Sequence, residues 1–78
     1  MKHIKVLGPG CPKCETTYTN VLEAIKQSGV EADVVKIEDI EEMMKYNILI
    51  TPVLMIDDQV KVRGRVADIN EIKSLLLA

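Results

Sequence analysis

His3-Ile4-Lys5-Val6-Leu7-Gly8-Pro9-Gly10-Cys11-Pro12-Lys13-Cys14 decides the fold. Residues 3–7 read as a first strand, and Gly8-Pro9-Gly10 closes it, because these residues break regular pairing. A helix is expected to start at the cysteines. Pro12 suits the first helical position, where its missing N–H has no intrahelical partner to lose. Cys11 is then the N-cap. Tyr18, Val21, Leu22 and Ile25 follow at helical spacing, and Gly29 is a C-terminal stop.

Outward from that stretch the chain alternates short elements. Residues 32–37 read as a second, β-branched strand. Asp39 with Glu42 forms a capping-box pattern ahead of a short helix whose apolar stripe is Ile40, Met43 and Met44. Thr51-Pro52 precedes a third strand, Val53-Leu54-Met55-Ile56. Asp57-Asp58-Gln59 supplies a turn, and Val60-Lys61-Val62-Arg63 returns as a hairpin strand ended by Gly64. Asp68 and Glu71 repeat the capping-box pattern before Ile69, Ile72, Leu75 and Leu76, a closing amphipathic helix. The order β-α-β-α-β-β-α predicts an α/β fold and one domain over residues 1–78. The first two strands pair in parallel by a right-handed crossover, and the last two form an antiparallel hairpin. A mixed four-stranded sheet with helices on both faces follows.

Composition narrows the function. The 78 residues are 47% hydrophobic, enough for a modest core without metals or several disulfides. The net charge of −2 lacks the basic footprint of a nucleic-acid binder. With no Trp or Phe and only Tyr18 and Tyr46, there are few platforms for stacking bases. No apolar run approaches the ~18 residues of a membrane helix. The first eight residues are too short and too charged for a signal peptide's apolar region. The expectation is a soluble cytoplasmic protein with no nucleic-acid or membrane partner, working as a monomer.

The two cysteines carry the chemistry. A bridge within Cys11-Pro12-Lys13-Cys14 closes almost no loop and adds little stability. At a helix start, unpaired N–H groups and the positive end of the dipole favour an anion such as a thiolate. Lys13 adds a nearby positive charge. Cys14 lies one turn along the same face, within reach of a disulfide to Cys11. These features favour an ionised, accessible Cys11. The pair alone also fits a soft-metal clamp, half a zinc site, or two structural thiols. Zinc normally takes four ligands. The one histidine, His3, starts the strand that ends at the cysteines, roughly 16 Å away at strand rise. It reads as an ordinary strand-end residue.

Gly10-Cys11-Pro12-Lys13-Cys14 after a first strand, together with Lys45 to Ile56 and its Thr51-Pro52 opening the third strand, resembles the thioredoxin superfamily. The likeness is greatest to the short, glutaredoxin-sized thioredoxins described as redox-active disulfide proteins, and it covers nearly the whole chain. It implies a thioredoxin-like fold and a thiol–disulfide oxidoreductase cycling a Cys11–Cys14 dithiol and disulfide. No other cofactor is implied. The implied partners are disulfide-containing protein substrates and a thioredoxin-reductase-type electron donor. Read from the residues alone, Pro52 is a trans proline starting a strand; by the same resemblance the bond before it is cis and its loop lies against the Cys pair. The Thr51 backbone would pair with an extended substrate segment while Cys11 attacks. Pro52, without an N–H, would keep a donor and a metal away from the sulfurs. Gly64 resembles a family glycine that lets substrate backbone approach, and reads equally as a plain strand-ending turn. Pro12 and Lys13 complete the implied support residues.

The departures are specific. Thioredoxins place Trp before the first Cys, where this chain has Gly10, and Gly-Pro between the cysteines, where it has Pro12-Lys13. They keep a buried acid on the first strand, where it has Lys5. Glu15 is then the candidate to deprotonate Cys14, and reads more simply as a solvated first-turn residue. Lys36 aligns loosely with a family lysine and reads as an exposed strand lysine. Tyr18, Met43, Met44 and Tyr46 read as core or half-buried packing. Gly64 to Asp68 matches a glutathione-binding segment only in part. The alternative function is a copper- or zinc-binding chaperone-type module using the same Cys pair. Such modules typically carry Met two residues before the first Cys, where this chain has Pro9. They end in a strand, where residues 69–77 read as a helix.

Overall fold

The computed structural model describes residues 1–78. The elements run β1 (Lys2–Leu7), α1 (Pro12–Ser28), β2 (Ala32–Ile37), α2 (Ile40–Lys45), β3 (Val53–Ile56), β4 (Gln59–Arg63) and α3 (Ile69–Leu77). This is the order read from the sequence. The turn between β3 and β4 is tighter than expected: Asp57 and Asp58 both take positive φ, 50° and 65°, and Gln59 already pairs with Ile56. Two positive-φ residues match the twist of a hairpin, which frees Gln59 for the strand.

The sheet order is β2-β1-β3-β4, with β1 and β2 parallel and the other two pairings antiparallel. Strand alternation divides the core in two. Ile4, Val6, Leu54, Ile56 and Val62 bury with Val21 and Ala24 of α1 and Ile72 and Leu76 of α3. Leu7, Val53 and Met55 point the other way and bury with Met43 of α2 and Ile48. Helices therefore cover both faces. None is long and apolar enough to cross a membrane.

Local chemistry sets the helix ends. Gly29 caps α1 at φ 72°, a left-handed conformation that glycine takes without steric cost. Asp39 and Asp68 cap α2 and α3 as expected, accepting from the Glu41 and Glu71 N–H groups. The glutamates do not close the capping boxes. Glu42 pairs instead with Lys45, and Glu71 with both terminal nitrogens of Arg65, because a cation gives a carboxylate more than a neutral N–H does. Ile40 and Met44 are a further correction: of the expected apolar stripe only Met43 is buried in this short helix, leaving Ile40 and Met44 exposed.

Candidate active site

The site forms where three strand connections meet. β1 delivers Gly8 to the edge of the sheet, and α1 begins at Pro12. Cys11 is the N-cap, extended at φ −68° and ψ 161°, and its Sγ accepts the Cys14 N–H at 3.2 Å. The sulfur thus takes a helix-start N–H that has no other partner. Cys11 and Cys14 are joined by a disulfide, with Cα atoms 5.1 Å apart. Their environments differ. Cys11 is half-buried, whereas Cys14 is 1% exposed.

Register explains why distant residues converge here. Leu7 pairs with Val53, and Val53 with Arg63. One step along the strands, Pro52 therefore stands between Gly8 and Gly64. The Gly64 N–H donates to the Pro52 carbonyl at 2.9 Å. The Thr51-Pro52 bond is cis, Pro52 is buried and Thr51 half-buried. A β-carbon placed on Gly8 would meet both Cys14 atoms and would lie 3.8 Å from the Thr51 Cβ. The Thr51-Pro52 loop accordingly lies beside the Cys pair. Pro12 and Lys13 are exposed in the first turn, as is Gly64 at the end of β4.

Gly8, Ile50 and Glu38 are site residues that local sequence does not mark. Gly8 read only as a breaker, yet the absence of its side chain gives the Cys14 sulfur its place. Ile50 lies against Gly64, where an added β-carbon would come within 2.9 Å of its Cγ2. Leu49, 91% exposed, Ile50, Ile40 and Met44 are large apolar side chains left to solvent around α2 and the Thr51 loop. Glu38 follows β2 and sets its Oε2 3.1 Å from where a Gly10 β-carbon would stand. Gly10 is itself at φ 87°. A side chain there would face a backbone conformation unfavourable to L residues and would displace the Glu38 carboxylate.

Charge is organised around Lys36. It is not the exposed strand lysine expected: its side chain is 25% exposed and donates to the Glu15 carboxylate. Its Nζ also lies 4.0 Å from Glu38 Oε2 and 5.0 Å from the Tyr18 ring centroid. The Glu15 carboxylate holds the Lys36 ammonium above its ordinary pKa. Glu15 is thus a paired group rather than a freely solvated one. Lys5, where an acid was looked for, bonds Tyr46 Oη at 3.0 Å and Asp58 at 3.1 Å on the α2 face. His3 is exposed, with Nδ1 2.8 Å from Asp33 Oδ1, as befits a strand-end residue. The chain ends in helix α3, unlike the strand-terminated chaperone-type module.

Comparison with known proteins agrees with this geometry. A family model described as thioredoxin domain matches residues 2–77. The thioredoxin of Methanocaldococcus jannaschii is 37% identical over 73 residues, covering 94% of this chain and 84% of that protein. The thioredoxin of Methanothermobacter thermautotrophicus is 34% identical over 76 residues, covering 97% and 99% respectively. The structure of thioredoxin-2, a component of malaria parasite protein secretion machinery, superposes with a TM-score of 0.73. It covers 99% of this chain and 82% of its own, and at 15% identity this is a likeness of fold. A helix-start Cys pair, a proline loop beside it and relatives of this similarity lead to one conclusion: the chain belongs to the thioredoxin family and is a thiol–disulfide oxidoreductase.

Proposed function

We propose that Cys11 is the attacking thiol and Cys14 the resolving one, in a protein-disulfide reductase that draws electrons from a thioredoxin-reductase-type donor. The observation that carries this order is the difference in access: Cys11 is half-buried at the helix start and Cys14 is sealed at 1% exposure. The Cys11 thiolate attacks one sulfur of a substrate disulfide, forms a mixed disulfide and expels the other substrate sulfur as a thiolate. Cys14, deprotonated, then attacks the Cys11 sulfur. The second substrate sulfur leaves, and the Cys11–Cys14 bridge forms. Two electrons pass to the substrate, whose thiolates take up two protons. The dithiol itself carries the electrons without a bound cofactor.

The surroundings support each step. The Cys14 N–H that bonds Cys11 Sγ stabilises a thiolate more than a thiol, as does the positive end of α1. A more stable thiolate also leaves faster when the mixed disulfide is resolved. Leu49, Ile50, Ile40 and Met44 are exposed apolar side chains on which a protein substrate would rest. Thr51 would pair with an extended substrate segment, Pro52 would keep an N–H away from the sulfurs, and Gly64 would leave room for the substrate backbone. Pro12 would start the helix and Lys13 would add positive charge near the sulfurs. Net reduction of substrates fits a cytoplasmic setting, where thiols are kept reduced.

Trapping tests the assignment. Cys14→Ser is expected to accumulate mixed disulfides with an unfolded, disulfide-containing protein, and Cys11→Ser is not. Equal trapping by both variants, or by neither, overturns the order.

A further inference from the structure

Two carboxylates, Glu15 and Glu38, approach one ammonium, Lys36, beside the segment that leads into α1. Glu15 directly follows Cys14 in the first turn of α1, and its carboxylate accepts from Lys36. Glu38 comes from the other side. Its Oε2 lies 4.0 Å from the same Nζ and 3.1 Å from where a β-carbon on Gly10, the residue before Cys11, would stand. Gly10 has no side chain to hold that carboxylate off. The cluster has one positive charge for two negative ones.

We propose that Glu38, placed near Lys36 and against the backbone immediately before Cys11, is a positioning residue that opposes the Cys11 thiolate and so keeps the dithiol reducing. The inference rests on Cys11 being the nucleophile. The helix start alone favours the thiolate, and a stabilised thiolate makes a dithiol more oxidising, because the reduced form gains. A carboxylate beside Cys11 works against that gain, and Lys36 limits how far it does so. The other charges near the pair are Lys13 and Glu15 on α1, and Arg63 and Arg65 flanking Gly64, of which Arg65 is engaged by Glu71. The loop Ile50-Thr51-Pro52 brings none. Glu38 and Lys36 therefore pull the dithiol in opposite directions. A merely structural cluster would not do so, since loss of either partner would harm the same packing.

The test is the equilibrium of the full-length protein with dithiothreitol at pH 7 and low salt, read by alkylation and mass. Glu38→Gln is expected to shift it about threefold toward the dithiol, which is ~14 mV at about 30 mV per tenfold. Lys36→Met is expected to shift it about threefold toward the disulfide, and Lys36→Arg to restore it. Both shifts should shrink in 1 M salt, where charges are screened within about 3 Å. The Glu38 side chain is 53% exposed, so its glutamine variant should keep the fold. Opposite, salt-sensitive shifts support the proposal. Either variant unmoved, or both moving the same way, overturns it while leaving the trapping result intact. A wild type that forms no reversible bridge overturns both readings.

Discussion

Gly8 and the Cys14 sulfur occupy adjoining space, so close that a β-carbon on Gly8 would overlap the Sγ and sit 3.0 Å from the Cys14 Cβ. Both residues are buried, and the Gly8 N–H donates to the Ile37 carbonyl at 2.9 Å. The strand cannot retreat without losing that bond. The Cys14 sulfur is thus seated on bare backbone.

Gly8→Ala is accordingly expected to destabilise the oxidised protein by about 1–3 kcal/mol, the usual cost of overpacking a core. Thermal unfolding of oxidised and reduced samples checks it. The penalty should be smaller in the reduced protein, where the Cys14 side chain is free to rotate away. An alanine variant as stable as wild type in both forms would contradict the contact.

Gly64 meets two constraints at once, a positive φ of 75° and the Ile50 Cγ2. Gly64→Ala is expected to cost about 1–3 kcal/mol through the backbone alone. In an Ile50→Ala background the steric part disappears while the backbone part remains. The double-mutant cycle should therefore show a coupling of about 0.5–1 kcal/mol. Additive losses would mean that Ile50 yields freely.

Thr17 is 1% exposed, and its Oγ1 has no hydrogen-bond partner. A buried hydroxyl left unpaired forfeits its hydration for nothing. Thr17→Val keeps the shape and removes that cost. It should stabilise the protein by about 1 kcal/mol, seen as a rise of roughly 4–8 °C in the melting temperature. A lower melting temperature would show that the hydroxyl does have a partner.

The pair between Arg65 and Glu71 predicts a pH dependence. The Arg65 guanidinium holds the Glu71 carboxyl below its usual range. On acidification the unfolded carboxyl therefore takes up its proton first. The stabilisation is complete above the ordinary glutamate range and is lost as pH falls through the lower folded value. Both side chains are partly exposed, so solvent screening keeps the contribution of the pair small. Glu71→Gln should be the less stable protein at pH 7, and the two melting curves should converge by about pH 2.

The order of elements was legible because each boundary carries its own local chemistry. Gly8-Pro9-Gly10 cannot continue a strand, Pro12 can begin a helix, Gly29 can end one, and Asp39 and Asp68 can accept helix-start N–H groups. The register followed less completely. Asp57-Asp58 closes a turn of two residues rather than three because both take positive φ, a choice aspartate permits but does not announce. Met44 faces solvent because α2 runs only from Ile40 to Lys45, and its apolar character gave no hint of that.

The Cys pair and its helix start were determined by the sequence, since their chemistry depends on neighbours within a few residues, whereas the place of Thr51-Pro52 beside them was implied only by resemblance. What surrounds the sulfurs was decided by tertiary structure. Gly8, Glu38 and Ile50 reach the site from the end of β1, from beyond β2 and from the connection into β3. Only the parallel pairing of β1 with β2 and the antiparallel pairing of β1 with β3 bring those three connections to one edge. Packing and charge act through space, and a lysine on a strand becomes the holder of two carboxylates only once the fold has placed them around it.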